Sequence, residues 1–167
     1  MKRLALALLL ALGGCQLAPV YSGGSQGTAA TMLGAIEVAP IPEKTGFLLR
    51  DRLVSRFHPN GAQQTPRYRL VVVLDDRIDG FGVRGDNSII RERRTLRARY
   101  ELFDIATDKR LLLATAGSDA GIDVVTSEYA VVAAEATAVE RLALIVADQI
   151  VARLAMFDPA QAPPAAP

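Results

Sequence analysis

Arginine carries most of the potential chemistry of this chain, and it is concentrated in one stretch. Residues 84 to 99 hold Arg84, Arg91, Arg93, Arg94, Arg97 and Arg99 against only Asp86 and Glu92. In an extended strand alternate side chains share a face, about 7 Å apart, so Arg91, Arg93, Arg97 and Arg99 would stand in a row. A guanidinium is a planar, permanently charged fork that grips phosphate or carboxylate through paired hydrogen bonds. Such a row suits a ligand with several anionic groups. The competing expectation is a solvated sheet face whose arginines pair with acids on neighbouring strands, such as Asp75 and Asp119. The sequence leaves both open.

The second reactive candidate is Cys15, the only cysteine of 167 residues. Met1-Lys2-Arg3 is basic, Leu4 to Leu12 is unbroken leucine and alanine, and Gly13-Gly14 precedes the thiol. That is the layout of a bacterial secretory signal. The apolar run is too short for a membrane span, which needs about 20 residues. Leu12-Gly13-Gly14-Cys15 looks like a lipobox, so residues 1–14 are expected to be removed and Cys15 to be acylated. With its one thiol lipidated, the chain has no disulfide framework.

Other motifs lead away from catalysis. The single histidine, His58, sits in Phe57-His58-Pro59-Asn60-Gly61, a turn signal, and is expected at the surface. Without His or Cys partners it cannot build a zinc site of the usual kind, and no loop has the spaced acids of a calcium site. Gly23-Gly24-Ser25-Gln26-Gly27 matches the Gly-x-Ser-x-Gly pattern but lacks the strand and helix that a nucleophile elbow requires. Asp75 and Asp76 are adjacent in a strand and should point to opposite faces. No catalytic residue, metal or cofactor is therefore expected. Formal charge is +1, and loss of Lys2 and Arg3 with the signal leaves seventeen basic against eighteen acidic residues. That balance argues against a general nucleic-acid binder.

The elements that would position the arginines follow from periodicity. Residues 15–32 read as a flexible tether, 33–157 as one domain, and 158–167 as a disordered Pro/Ala tail. Within the domain, 35–40 alternates as a short strand. Thr45 is expected to cap a helix over 46–57, with Leu49, Leu53, Phe57, Phe47 and Val54 as its apolar stripe. Strands are expected over 67–77 and 89–103, the second with Leu96, Ala98, Tyr100 and Leu102 on its core face. A third strand, 110–116, is expected to end at the loop 117–121. The final helix, 127–154, carries Tyr129, Val132, Ala136, Val139, Ala143, Val146 and Ile150 at steps of three and four. The order β-α-β-β-β-α predicts an α+β two-layer sandwich: a four-stranded, mostly antiparallel sheet with two helices on one face.

Several stretches together resemble the LPS-assembly lipoprotein LptE family. They are the lipobox with Pro19-Val20-Tyr21-Ser22-Gly23 behind it, the strand entry Tyr68-Arg69-Leu70, and Arg97-Ala98-Arg99-Tyr100-Glu101-Leu102-Phe103-Asp104. The helix from Ser127-Glu128-Tyr129-Ala130 through Glu140-Arg141 to Leu154 completes the similarity, which spans about 10–155. The resemblance implies an outer-membrane lipoprotein, lipid-anchored and facing the periplasm or lying inside a barrel lumen. Its partners would be the LptD β-barrel, which it plugs and helps to assemble, and lipopolysaccharide. It also implies two helices on a four-stranded sheet, and a lipopolysaccharide-binding basic residue at the central hairpin tip, here Arg84. Arg91, Arg93, Arg97 and Arg99 extend that candidate set. The family's second basic contact, near the last helix, has no counterpart, since 124–134 lacks Lys and Arg. An auxiliary lipoprotein of an ABC-type phospholipid or solvent transport system is the alternative.

Overall fold

The computed structural model describes residues 27–59, 61, 64–83 and 89–158. The elements run α1 (Thr28–Gly34), β1 (Ile36–Val38), α2 (Glu43–Phe57), β2 (Tyr68–Val83), β3 (Ile89–Asp104), β4 (Arg110–Asp123) and α3 (Glu128–Ala155). The four strands form one sheet in the order β1-β2-β3-β4. β1 pairs in parallel with the start of β2, and the other pairs are antiparallel, so the sheet is mixed. The α+β architecture expected from the sequence is the one observed, with α1 as an additional short helix.

That helix takes the place of the tether expected over 15–32 at residues 28–32 only; 15–26, like the expected signal 1–14 and most of the expected tail 158–167, lie outside the described residues. Thr28–Gly34 is helical, and Leu33 is buried in the core. Apolar Met32, Leu33 and Ala35 beside β1 give the segment something to bury. Thr45 is also not the expected cap. α2 starts two residues earlier at Glu43, and the buried Thr45 hydroxyl donates to Asp76 Oδ2 at 2.7 Å. Phe47 leaves the expected stripe and is 67% exposed, while Leu49, Leu53 and Phe57 are buried.

The core lies between the sheet and the helices. On β3 it takes Leu96, Ala98, Tyr100 and Leu102, the even positions. Cross-strand partners share a face, so the register brings Leu70, Val72 and Leu74 of β2, and Leu112, Ala114 and Ala116 of β4, to the same side. Helix α3 contributes Leu142, Val146, Ile150 and Leu154, with Leu49 and Leu53 of α2 beside them. The α3 stripe holds from Val139 onward but fails before it: Tyr129 is 91% and Val132 59% exposed. Two apolar turns of α3 thus extend beyond the covered core. His58 is half-buried rather than a surface residue, and its backbone N–H closes α2 on the Val54 carbonyl at 2.9 Å.

β4 runs through 117–121, where a loop was expected from Gly117-Ser118-Asp119-Ala120-Gly121. Tertiary contacts overrule the low strand propensity of these residues. Gly117 N–H donates to Gln149 Oε1 at 3.0 Å, and Gln149 Nε2 donates back to the Gly117 carbonyl at 3.4 Å. One carboxamide on α3 thereby occupies the backbone of an edge strand as a neighbouring strand would, which blunts a free edge.

Candidate functional site

Among the described residues the helices pack on one face of the sheet, and the opposite face carries none. β3 presents Arg91, Arg93, Thr95, Arg97, Arg99 and Glu101 there, beside Val73, Asp75, Arg77, Asp79 and Phe81 of β2 and Leu113, Thr115, Gly117, Asp119 and Asp123 of β4. The row of arginines expected on one strand face therefore exists. Its members have different surroundings.

Arg91 is paired: its Nε donates to Asp123 Oδ1 at 3.0 Å on the adjacent strand. The Arg93 guanidinium lies over the Phe81 ring, 5.2 Å from its centroid. Arg97 is registered directly opposite Asp75, yet Asp75 Oδ1 accepts from Arg77 Nε at 2.8 Å instead. The Arg97 side chain lies across β4 over Gly117, where an added Cβ would be 2.5 Å from Arg97 Cδ and 2.7 Å from Nη1. Any larger residue at 117 would push it away. Arg99 stands between Val73 and Thr115. Among the described residues, neither Arg97 nor Arg99 makes an ion pair or a hydrogen bond. Asp119, named beforehand as a partner, faces Thr95 and holds none of the arginines. Arg84 and Cys15 lie outside the described residues.

The two unpaired arginines border an open groove of about 480 Å³ lined by Val73, Leu74, Asp75, Arg97, Ala98, Arg99 and Thr115. It offers two guanidinium forks, a hydroxyl and the exposed aliphatic Val73, with Leu113 (51% exposed) two residues along β4. Sequence reasoning named the arginines but not Val73, Thr115 or Gly117. For Val73 the signal was available, since it lies opposite the core face of β2. For Gly117 there was none, because a glycine in a turn-like string reads as a loop.

Arg94 belongs to the other face and is the arginine most deeply engaged. Its Nε and Nη2 donate to Asp76 Oδ1 and Oδ2 at 2.9 and 2.7 Å, and Nη1 donates to the Glu135 carbonyl of α3 at 3.2 Å. Both side chains of the pair are 14% exposed. The hydrogen bond from Arg94 holds the Asp76 carboxyl below the usual carboxylate range despite opposition from burial, helped by the Thr45 hydroxyl. Asp75 and Asp76 thus do point to opposite faces and cannot act as a carboxylate pair. No group of acids, histidine and cysteine suited to a metal ion occurs among the described residues.

Residues 33–154 match the profile of LptE, the lipopolysaccharide-assembly family. The chain belongs to the LptE family. No curated protein matches it in sequence. Its fold is shared by solved lipoproteins of low identity. A lipoprotein from Caulobacter crescentus superposes with a TM-score of 0.62 at 23% identity, covering 76% of this chain and 92% of that one. Rare lipoprotein B from Shewanella oneidensis gives 0.56 at 9% identity, covering 72% and 92%. A minor lipoprotein from Acinetobacter baumannii gives 0.52 at 14%, covering 72% and 91%. As an LptE-family member the chain is a lipopolysaccharide-assembly protein and not an enzyme.

Proposed function

We propose that this LptE-family chain is an outer-membrane lipoprotein, anchored through acylated Cys15, that occupies the lumen of the LptD β-barrel as a plug. In that place it assists assembly of the barrel and helps to deliver lipopolysaccharide to the outer leaflet. The observation that carries the reading is the family match over 33–154, which takes in every strand, the whole of α2 and nearly all of α3. Two features support it. Among the described residues one sheet face carries no helix and presents arginines and aliphatic side chains, and two apolar turns of α3 are exposed. Large exposed apolar patches commonly mark interaction surfaces. Lipopolysaccharide contact is assigned to Arg84, Arg91, Arg93, Arg97 and Arg99. Among the described residues no helix is long and apolar enough to cross a membrane; anchoring in this reading comes from the lipid.

A mild-detergent pull-down of the tagged protein from native outer membranes tests the proposal. A large β-barrel recovered in equal amount is the expected result. Recovery of inner-membrane transporter subunits without a barrel would overturn it in favour of an ABC-type transport auxiliary.

A further inference from the structure

The sheet has two edges, and they are protected unequally. On β4, Gln149 bonds the backbone of Gly117. On the other side β1 covers β2 only from Tyr68 to Leu70. Tyr68 N–H donates to the Ala35 carbonyl at 3.1 Å, and the Leu70 carbonyl accepts from Ala39 N–H at 2.9 Å. The even-numbered residues of β2 therefore aim their backbone groups away from β3. β2 runs on to Val83. Among the described residues, Val72, Leu74, Asp76, Ile78 and Gly80 have no partner for those groups. A row of unpaired N–H and C=O groups is a template for another strand. Ile78, within that row, is 41% exposed. On the face without helices Arg77 pairs only with Asp75, both exposed, and Asp79 makes no ion pair among the described residues.

We propose that a second copy of this chain pairs with this edge, β2 against β2, antiparallel about a two-fold axis at Ile78. Charge selects both the occupant and the register. An axis at Asp75, Arg77 or Asp79 sets that charge against its own copy, which is repulsive. An axis at Asp76 sets two carboxylates side by side, each already held by Arg94 and Thr45. With the axis at Ile78, Arg77 of each copy stands opposite Asp79 of the other, in the non-hydrogen-bonded positions where side chains come closest. The pairing occurs twice, because a two-fold contact is self-complementary. Ile78 meets its own copy on the helix-bearing face, which covers apolar area that is exposed in the single chain. Asp76 falls opposite Gly80, which has no side chain to crowd the Arg94 pair. The contact takes in about seven residues of each chain, 75 to 81, less than a stable interface needs, so the dimer is weak. It concerns the chain outside any complex and is independent of the barrel.

The test is sedimentation velocity of the full chain in density-matched neutral detergent. Between about 1 and about 300 μM it should show a monomer–dimer equilibrium with a Kd of about 50 μM. Arg77→Glu or Asp79→Arg alone opposes like charges across the axis and should weaken the dimer about ten-fold. R77E/D79R restores opposite charges and should return it to within about two-fold of wild type. Disulfide trapping in a Cys15→Ser background reads the register. Ile78→Cys sets two Cα atoms about 5.5 Å apart and should cross-link on oxidation. Gly80→Cys offsets them by about 13 Å along the strands and should not. Amide exchange at Asp76, Ile78 and Gly80 should be fast in the dilute monomer and slowed in the dimer. A monomer throughout the range would overturn the proposal, as would equal cross-linking at 78 and 80. A dimer unmoved by both single charge reversals, or a charge swap no stronger than they are, would overturn the register. Protection of those amides in the dilute monomer would mean that other residues of the same chain cover the edge, and would overturn the second copy as its occupant.

Discussion

Arg94→Met isolates the most consequential polar contact of the domain. The substitution keeps an unbranched apolar stem and deletes the guanidinium that joins β3 to Asp76 on β2 and to the Glu135 carbonyl on α3. Asp76 would retain only the Thr45 hydroxyl at 2.7 Å. Because each side chain of the pair is 14% exposed, solvent screens the interaction little. Stripping one partner from a buried pair costs about 3–5 kcal/mol. The Thr45 bond and residual access to water bring the expectation here to about 2–3 kcal/mol. For a domain of this size that is a fall in Tm of about 10 °C.

Urea titration and thermal melting followed by circular dichroism read the loss. The double variant Asp76→Leu with Arg94→Met should recover most of it, since the stranded carboxylate is gone. The pH dependence has a definite sign. Asp76 is held below its ordinary range by the Arg94 hydrogen bond, so its folded value lies below its unfolded one. Its contribution is complete at neutral pH, begins to fade as pH falls below the ordinary carboxylate value of about 4, and is lost through the lower folded value. The stability gap between wild type and Arg94→Met should therefore be largest at neutral pH and close as pH falls through the carboxylate range, because protonation relieves the stranded Asp76 of the variant before it reaches the paired Asp76 of wild type. A single-variant loss under about 0.5 kcal/mol, or a double variant less stable than the single, would refute the reasoning.

The other expectations concern the outer face, the edge strand and α3. Arg91→Gln should change stability by less than about 0.5 kcal/mol in urea, because the pair with Asp123 is 58% and 75% exposed. Gly117→Val should cost about 1–3 kcal/mol, since a Cβ there would be 2.5 Å from Arg97 Cδ and 2.9 Å from the Leu96 carbonyl. Gln149→Ala should cost about 1 kcal/mol and raise concentration-dependent self-association in light scattering, as it uncovers the backbone of β4. Val132→Ala should be neutral within about 0.5 kcal/mol, whereas Val139→Ala, two turns later and 5% exposed, should lose about 1–2 kcal/mol on melting.

Much of the architecture was legible because the signals were local and periodic. The alternation Leu96, Ala98, Tyr100, Leu102 against Arg97, Arg99, Glu101 identifies the two faces of β3 without any structure, since side-chain direction in a strand follows from the pleat alone. Leu49, Leu53 and Phe57 mark the buried side of α2 in the same way, through helical periodicity. The residues that could bind an anion were likewise visible as a row of one residue type.

Only the tertiary structure decided which of those arginines are available. Register is a long-range property: it places Asp123 beside Arg91, Phe81 beside Arg93 and Gly117 beneath Arg97, and it gives Asp75 two candidate arginines of which Arg77 is the one taken. Spacing along one strand cannot report what lies across from it. The same limit explains the strand through Gly117–Gly121, where Gln149 supplies from α3 what the local sequence lacks. It also explains the first turns of α3, whose apolar residues continue the stripe of Val139 and Val146 while Tyr129 and Val132 stay exposed among the described residues. Periodicity states which side of a helix could be buried. The extent of the opposing surface determines how much of it is.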